Sequence, residues 1–323
     1  MKQETRNRKH EAHDVISSEA VVPNSVISTG AAAPPTVIST GAERGPEKSP
    51  TKTEEISPRP PLGRDDKKRA SALDDKSSTP ETRHPKPYSL TIVHLYPREM
   101  NIYGDTGNRL VLQRRAEWRG VDVQVKLVGV NDPIPSEADI IIGGGGQDAG
   151  QGRIQDDLQA KAAQLKRMAE DGVVMLMICG MYQLFGRSFT TNTGEVIKGI
   201  GILPLETVGG DVRMIGNTVY DTPYGEIVGY ENHSGVTTLD DPGLALGTVT
   251  KGDGNNGRDG TEGCRVHNVF GTYSHGPVLV KNPALADELL RLALSRRYDD
   301  VELLPLDDAL EHSAHTTAAS RPR

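Results

Sequence analysis

The stretch that most constrains the fold of this chain is an apolar run that ends at a cysteine. Residues 173–178 contain only Val, Met, Leu and Ile, which is typical of a strand buried on both faces of a parallel sheet. The following Gly180–Phe185 segment has no β-branched residue and can begin a helix. Cys179 is therefore predicted to lie on a sharp strand-to-helix turn of the nucleophile-elbow type. The N–H groups of that helix would favour a reactive thiolate, whereas the alternative is an inert core cysteine.

Composition divides the chain into three parts. Residues 1–87 are dominated by Ser, Thr, Pro, Glu, Lys and Arg, and such a segment buries too little apolar surface to offset the entropy of ordering. We therefore predict a disordered N-terminal extension over 1–87 and, for the same reason, a disordered tail over 304–323. Residues 88–303 remain as one folded domain.

Charge and cysteine content limit the possible functions. The net charge is −7 and the folded part has no basic cluster, which argues against nucleic acid as a partner. Only two cysteines are present, so no disulfide framework is expected. The charged start is not followed by an apolar core, and no apolar run approaches the ~20 residues that span a bilayer. These features predict a cytoplasmic protein without a transmembrane segment.

The order of the predicted elements indicates a parallel sheet followed by β hairpins. Strand, helix and strand at the observed spacing form a βαβ unit with a right-handed crossover. The sequence predicts strands at 89–95, 121–128, 138–142, 199–206, 209–219, 226–232 and 266–273, and helices at 106–119, 154–170 and 283–297.

Four consecutive glycines, Gly143 to Gly146, follow the third predicted strand. Glycine lets backbone N–H groups approach a ligand closely, so a phosphate cradle is one interpretation. No P-loop pattern is present, which makes a nucleotide-binding module the weakest reading. A second interpretation is an oxyanion hole formed by one of the loop N–H groups and the N–H of Gly180. A tight turn alone accounts less naturally for all four glycines.

A cysteine nucleophile needs a base, and four histidines lie in the folded part: His94, His233, His267 and His275. His94 lies within the first strand and is predicted to be a packing or hydrogen-bonding residue. His267 is close to Cys264, but a metal site needs more ligands than this pair. His275 follows a predicted strand of the sheet, where it can reach Cys179 at the shared edge. We therefore predict His275 as the base and no metal site.

Several separated motifs resemble a known family. The elbow and the segment that contains His275 resemble the class I glutamine amidotransferases of the cobyric acid synthase type. The wider set resembles more closely the glutaminase subunit of lipid II isoglutaminyl synthase, the GatD type. The motifs are 103–108, 143–148, 178–184, 230–235, 254–263 and 271–277. The resemblance implies a flavodoxin-like α/β sheet with flanking helices and additional β hairpins in the C-terminal half.

The same resemblance implies site residues and a reaction. Cys179 would attack the side-chain amide of glutamine, and His275 would protonate the departing ammonia and then activate water. Gly145 and Gly180 would hold the oxyanion through their backbone N–H groups. Arg213 matches the substrate-binding arginine of the family, and its guanidinium suits the glutamine α-carboxylate.

Two departures from the wider amidotransferase pattern concern the elbow and the histidine. Met177 and Met181 stand where the usual elbow has glycine. Many class I enzymes have a glutamate two residues after the histidine, and here that position is Pro277. We therefore expect the isolated chain to hold a Cys-His dyad, completed by a carboxylate from a partner.

The resemblance also implies a partner, because no ATP-binding motif precedes the glutaminase motifs. The expected partner is a Mur-ligase-like subunit of the MurT type in a heterodimer, which would use ATP and Mg²⁺ to amidate D-glutamate of lipid II in peptidoglycan biosynthesis. The chain itself would carry no cofactor and would act at the inner face of the membrane. Two rival functions are a stand-alone cysteine hydrolase and a non-catalytic scaffold for the ligase.

Overall fold

The computed structural model describes residues 88–323, so the predicted extension over 1–87 lies outside the described residues. Twelve strands and five helices follow each other in this part of the chain. The strands are β1 Ser89–Leu95, β2 Asp122–Val128, β3 Ile140–Gly143, β4 Val174–Ile178, β5 Ser188–Thr190, β6 Val196–Lys198, β7 Leu205–Thr222, β8 Gly225–Leu239, β9 Gly247–Lys251, β10 Thr261–Glu262, β11 Cys264–Val266 and β12 Val269–Thr272. The helices are α1 Thr106–Glu117, α2 Asp148–Glu170, α3 Gly180–Phe185, α4 Pro283–Ser295 and α5 Ala309–Ser320.

The first sheet has the strand order β2-β1-β3-β4-β12-β11, and all its pairs are parallel except that of β11 with β12. A 2-1-3-4 order followed by a later strand is the flavodoxin-like arrangement, so the predicted fold class is confirmed. The residues of β3 and β4 are fully buried, as their continuous apolar sequence predicts. The carboxyl ends of β3, β4 and β12 meet at one edge of this sheet.

The second sheet is built on a long antiparallel hairpin of β7 and β8. Strands β5, β6, β9 and β10 extend it on the other side of β7. The register of the hairpin shifts between Gly209 and Met214, so residues 210–213 form a bulge. This sheet supplies the β hairpins that the resemblance implies for the C-terminal half.

The strand predicted at 199–206 is wrong for most of its length, because strand structure begins only at Leu205. The backbone N–H groups of Ile200 and Ile202 donate to carbonyl oxygens of Leu184 and Phe185 at the end of α3. The segment before Leu205 therefore caps a short helix instead of pairing in a sheet.

The helix predicted at 154–170 begins six residues earlier, at Asp148. Gly150 and Gly152 lie inside its first turns, and glycine lowers helix propensity. Gly150 fits close to another backbone, since a Cβ there would lie 3.0 Å from the carbonyl oxygen of Glu99. Tertiary packing therefore outweighs the local preference. No helix among residues 88–323 combines the length and the apolar character needed to cross a membrane.

The disordered tail predicted over 304–323 is corrected by the structure, which has the helix α5 in this segment. None of its residues is buried, so its sequence lacks the apolar pattern that predicts a packed helix. Polar contacts hold it instead. The Lys251 ammonium donates to the carbonyl oxygens of Ala319 and Arg321, and His315 lies 3.2 Å from a carboxylate oxygen of Glu226.

Candidate active site

Cys179 lies on the strained turn that its sequence predicts. It joins β4 to α3 with φ 50° and ψ −103°, a backbone conformation that residues with a side chain rarely adopt. Its N–H donates to the carbonyl oxygen of Thr272 at 2.8 Å, which fixes the elbow to β12. The residue is 7% exposed, so its side chain lies at the boundary of the core and a cavity.

The two methionines of the elbow fit because the neighbouring strand has a glycine. Gly143 pairs with Met177 in the parallel register of β3 and β4. A Cβ on Gly143 would lie 2.8 Å from Met181 Cγ and 3.0 Å from Met177 Sδ. In the usual elbow, glycines leave room beside the cysteine. Here Gly143 of β3 leaves the room that the two methionine side chains need.

The other three glycines of the loop are also explained by close approach. A Cβ on Gly144 would meet the Met100 carbonyl oxygen at 2.3 Å, and one on Gly146 would meet Met100 Sδ at 2.4 Å. A Cβ on Gly145 would lie 2.7 Å from His275 Cε1 and 3.4 Å from Cys179 Cβ. None of the four glycines has a positive φ. Packing on both sides of the loop, not turn geometry, therefore requires glycine at all four positions.

Cys179 and His275 lie close together. A Cβ placed on Gly145 would lie 3.4 Å from Cys179 Cβ and 2.7 Å from His275 Cε1, so both side chains approach the same side of this glycine. His275 follows β12 by three residues and is 1% exposed. Its N–H and carbonyl oxygen form two hydrogen bonds with Tyr230 of β8, at 2.9 and 3.2 Å. The ring of Tyr103 lies 4.3 Å from the imidazole, centroid to centroid, and covers it on one side. The structure therefore brings the predicted nucleophile and base together.

A buried carboxylate of the same chain lies beside His275. Asp105 Oδ1 is 3.5 Å from His275 Nδ1, and Asp105 Oδ2 accepts a hydrogen bond from the Gly145 N–H at 2.7 Å. A carboxylate of this chain therefore lies beside His275, and the expectation that a partner supplies a carboxylate stays a prediction. Sequence analysis missed this residue because the usual glutamate follows the histidine closely, whereas Asp105 lies at the start of α1.

Burial lowers the pKa of His275, but the Cys179 thiolate and the Asp105 carboxylate outweigh it and raise the pKa to about 10. A protonated imidazole beside a sulfur and a carboxylate is the charge arrangement that supports a thiolate nucleophile.

The Gly145 N–H is not available to an oxyanion in this arrangement, because it donates to Asp105. This corrects the sequence-based choice of Gly145. Gly146 is the alternative on the same loop, since it lines the cavity with Cys179. Gly180 is the first residue of α3, where backbone N–H groups have no partner within the helix. The N–H groups of Gly146 and Gly180 are therefore the candidate donors to an oxyanion at Cys179.

A cavity of about 340 Å³ opens at Cys179 and is lined by residues from both sheets. Arg213 lies on its wall, in the bulge of β7. Its Nε donates to Asn232 Oδ1 at 2.7 Å, and its Nη2 donates to Tyr103 Oη at 3.3 Å. The guanidinium is therefore oriented at the cavity, where it can bind a carboxylate.

Gln183 also lines the cavity, and sequence analysis did not single it out. Its amide oxygen accepts from Gln151 Nε2 at 2.7 Å, and its amide nitrogen donates to Tyr273 Oη at 3.2 Å. Its position four residues after Cys179, one turn along α3, is the signal that could have identified it.

Of the three remaining histidines of the predicted domain, His233 lines the cavity with Cys179, and His94 and His267 do not. Neither ring nitrogen of His94 has a hydrogen-bond partner within the described part of the chain. Burial lowers the pKa of His233 to about 4, and its ring stacks on Tyr273 at 3.5 Å. His267 lies in the turn between β11 and β12 with a positive φ. Among residues 88–323, no group of three or more His, Cys, Asp or Glu side chains is arranged to hold a metal ion.

Comparisons with known proteins agree with this geometry. The profile of the CobB/CobQ-like glutamine amidotransferase domain matches residues 91–283. The chain is 40% identical over 233 residues to the lipid II isoglutaminyl synthase (glutamine-hydrolyzing) subunit GatD of Streptococcus pneumoniae, which covers 69% of this chain and 88% of that protein. The chain belongs to the GatD family of glutamine amidotransferases. It is therefore a glutamine-hydrolysing amidotransferase subunit.

A second member of the GatD family, from Staphylococcus aureus, is 38% identical over 236 residues, which cover 72% of this chain and 96% of that protein. Among solved structures, one titled "Crystal structure of glutamine amidotransferase" matches with a TM-score of 0.44 and 15% identity, over 62% of this chain and 98% of that one. The structural match is too distant to carry weight, so the assignment rests on the sequence matches. The predicted resemblance is confirmed.

Proposed function

We propose that this chain is the glutaminase subunit of a lipid II isoglutaminyl synthase and that it hydrolyses glutamine through Cys179 and His275. The observation that carries the proposal is that two groups line one small cavity and a third lies directly behind its wall. Cys179 on its strained turn and Arg213 in its bulge both line the cavity, and His275 lies behind Cys179 against Gly145. The relatives are named as GatD subunits of lipid II isoglutaminyl synthase, and we take lipid II as the acceptor on that basis.

The reaction proceeds in two halves. The Cys179 thiolate attacks the side-chain carbonyl carbon of glutamine, and the oxyanion that forms accepts hydrogen bonds from the N–H groups of Gly146 and Gly180. The carbon–nitrogen bond breaks as His275 gives its proton to the leaving nitrogen, which departs as ammonia. His275 then takes a proton from water, the hydroxide attacks the thioester, and glutamate leaves as the thiolate forms again.

Arg213 holds the substrate in this scheme. A guanidinium binds the α-carboxylate of glutamine through two N–H donors, and charge-assisted hydrogen bonds of this kind are the strong ones. Because Arg213 and Cys179 stand on one cavity, the α-carboxylate and the side-chain amide of a single glutamine can reach both.

The ammonia is used by a second polypeptide. We propose a Mur-ligase-like partner of the MurT type, in a heterodimer, which uses ATP and Mg²⁺ to activate the α-carboxyl of D-glutamate in the lipid II stem peptide. Ammonia then converts this residue to D-isoglutamine at the cytoplasmic face of the membrane. Neither cofactor is assigned to residues of this chain.

The test is ammonia release from glutamine by the purified full-length chain, with and without a Mur-ligase-like partner. We expect Cys179→Ala to abolish release, and Cys264→Ala to retain it. Cys264 is the matched control because it is the only other cysteine and burial raises the pKa of its thiol to about 12.

The rival functions give different results in the same assay. A non-catalytic scaffold would release no ammonia, either alone or in the complex, while the complex would still show normal ligase activity on added ammonia. Release at full rate without the partner would indicate a stand-alone hydrolase. Release that requires Cys179 and increases with the partner supports the proposed subunit.

A further inference from the structure

We propose that Gln151 of α2 is a positioning residue of this site, which holds the nucleophile helix α3 and fixes the orientation of the Gln183 side-chain amide. The inference deepens the proposed function and rests on it, because α3 begins beside Cys179 and Gln183 lines the same cavity. Gln151 itself does not line that cavity, so it acts through the groups that it holds.

Gln151 uses one buried amide nitrogen for two hydrogen bonds. Its Nε2 donates to the carbonyl oxygen of Gly180 at 3.1 Å and to Oε1 of Gln183 at 2.7 Å. The residue is only 1% exposed. A polar group buried to this degree is costly to leave without a partner, so both bonds constrain the groups that they join.

The Gly180 carbonyl determines the direction of these bonds. A backbone carbonyl can only accept, so the NH₂ group of Gln151 must face it. The same nitrogen faces Gln183, which must therefore present its amide oxygen to Gln151 and its amide nitrogen to the other side. A backbone atom of α3 thus sets the orientation of two glutamine side chains in series.

The direction continues from Gln183 into the second sheet. Gln183 Nε2 donates to Tyr273 Oη at 3.2 Å, and this hydroxyl lies 2.6 Å from Thr237 Oγ1 of β8. Thr237 Oγ1 in turn lies 2.7 Å from Thr207 Oγ1 of β7. The tyrosine and both threonines are completely buried. Turning the Gln183 amide around would therefore break buried hydrogen bonds on both of its sides.

This orientation gives Gln183 a donor at the cavity. A primary amide carries two N–H groups, and among residues 88–323 Tyr273 Oη accepts one of them. A Cβ on Gly235, which also lines the cavity, would lie 2.5 Å from Gln183 Nε2. The amide nitrogen, and not the amide oxygen, is therefore the group beside Gly235, and its second N–H is left for an oxygen of the substrate.

Gln151 also links the two segments that carry the candidate oxyanion donors. Gly146 belongs to the loop before α2, and Gly180 is the first residue of α3. A Cβ on Gly180 would lie 3.1 Å from the backbone nitrogen and oxygen of Gly146, so the segments are in contact. The bond from Gln151 to the Gly180 carbonyl ties α2 to α3 at this contact. Without it, the two N–H groups can shift relative to each other, and small displacements at a reacting centre lower the rate.

The test replaces Gln151 by methionine and by glutamate in the full-length chain with its ligase partner. Methionine has a similar length but no N–H donor, and glutamate has the same shape but no donor while it is ionised. We expect kcat/KM for glutamine to fall by about 30-fold or more in both variants at about pH 8. Urea titrations of the same variants show whether they remain folded.

The matched controls are Gln159→Met and Gln159→Glu. Gln159 lies on the same helix, and its Nε2 also donates to two carbonyl oxygens, those of Lys198 and Gly199. Neither acceptor lines the cavity. We therefore expect kcat/KM to stay within about two-fold of wild type in both control variants.

The pH dependence of the glutamate variant separates positioning from a general loss of packing. A protonated carboxyl group regains one O–H donor for the Gly180 carbonyl, and burial raises the pKa of a carboxyl group. The ratio of kcat/KM in Gln151→Glu to that in Gln151→Met should therefore rise at least about five-fold from about pH 8 to about pH 6. Cys179 and His275 titrate in both variants, so the ratio removes their contribution. The same ratio at Gln159 should stay constant.

A second readout does not need glutamine hydrolysis. NMR of nitrogen-labelled protein measures how fast the side-chain amide protons of Gln183 exchange with solvent. We expect exchange to be at least about ten-fold faster in Gln151→Met, because the Gln183 amide loses the bond that fixes it, and unchanged in Gln159→Met. If the wild-type chain released no ammonia, the proposed function would fail, while this exchange rate would still test Gln151.

Two results would overturn the proposal. In the first, Gln151→Met keeps kcat/KM within about two-fold of Gln159→Met, so that the site does not depend on this amide. In the second, activity falls, but the ratio of the two Gln151 variants is constant with pH and the exchange of the Gln183 amide is unchanged. That combination is the behaviour of a residue that only contributes to packing.

Discussion

The two sheets of the molecule contribute different kinds of group to one cavity. The parallel sheet places Cys179 and His275 at its edge, where both are almost completely buried and the glycine loop leaves no room for a side chain. The antiparallel hairpin places Arg213 in an exposed bulge, where side-chain hydrogen bonds hold it. The proposed reactive groups are therefore fixed by backbone packing, and the proposed binding group by polar contacts. Substitutions should affect the two regions differently.

The largest effect is expected from Gly145→Ala in the parallel sheet region. The new Cβ would lie 2.7 Å from His275 Cε1, so the imidazole or the loop must move. Since a displacement of about 1 Å can cost 100-fold in rate, we expect glutaminase kcat to fall by about 100- to 1,000-fold. The control is Gly152→Ala in α2, where a Cβ would meet nothing within 4 Å. Equal activity of the two variants would show that the loop is not tightly packed.

The second prediction concerns stability in the two sheets. Ile141 of β3 is fully buried, and its replacement by alanine leaves a cavity in the core. We expect Ile141→Ala to reduce the free energy of unfolding by about 3 kcal/mol in urea titrations. Val212→Ala, at a side chain that is 75% exposed in the bulge of β7, should change it by less than about 0.5 kcal/mol. Similar losses would mean that the bulge is as tightly packed as the parallel sheet.

Arg213→Lys should separate binding from chemistry. Lysine keeps the positive charge but loses the forked pair of donors, so we expect KM for glutamine to rise by about 30-fold, or about 2 kcal/mol. The kcat value should stay within about three-fold, because Arg213 does not reach the reacting carbon in the proposed scheme. Steady-state kinetics beside Arg258→Lys, in an exposed loop, provide the check. A fall in kcat alone would show that Arg213 acts through Tyr103 on His275.

The smallest effect is expected in the pH dependence of stability. Burial lowers the pKa of His94 to about 4, with Arg109 adding to the shift and Asp105 opposing it. Between about pH 6.5 and pH 4 the unfolded chain binds this proton and the folded chain does not, so stability falls as pH falls. Between about pH 6.5 and pH 5, the free energy of unfolding should therefore fall by about 2 kcal/mol less in His94→Leu than in the wild type.

The matched variants for this titration are His233→Leu and His312→Leu. His233 lies in the antiparallel sheet, and burial lowers its pKa to about 4 as well, so an effect of similar size is expected. His312 is on the exposed side of α5, so His312→Leu shows the effect of losing a histidine that is not buried. Urea titrations at both pH values measure the difference. A pH dependence that is unchanged in His94→Leu would contradict a neutral, buried His94.

Much of the parallel sheet could be predicted because its signals are local. The apolar runs of β1, β3 and β4 and the turn at Cys179 each follow from a few neighbouring residues. The tail was not predictable in the same way. Helix α5 is held by polar contacts to residues far away in sequence, such as Lys251 and Glu226, and such contacts leave no periodic apolar pattern.

The site shows the same division. Cys179 and His275 could be chosen from strand ends, since parallel strands bring their carboxyl ends to one edge. Asp105 could be placed before α1, but nothing local reveals that its side chain leaves that helix to contact Gly145 and His275. The hydrogen bond from the Gly145 N–H to Asp105 depends on the same long-range contact. Because of this bond, we assign the loop donor of the oxyanion hole to Gly146 instead of Gly145.

The sequence by itself determined the parallel sheet, the nucleophile turn, the two groups that meet there and, through its motifs, the family of the chain. These follow from hydrophobic periodicity, from the tendency of parallel strands to gather functional groups and from separated motifs. Only the tertiary structure decided why four glycines are needed, which carboxylate faces His275 and how Arg213 is oriented. Each of these depends on distances between segments far apart in the chain, and such distances are set by packing, which no local pattern of residues encodes.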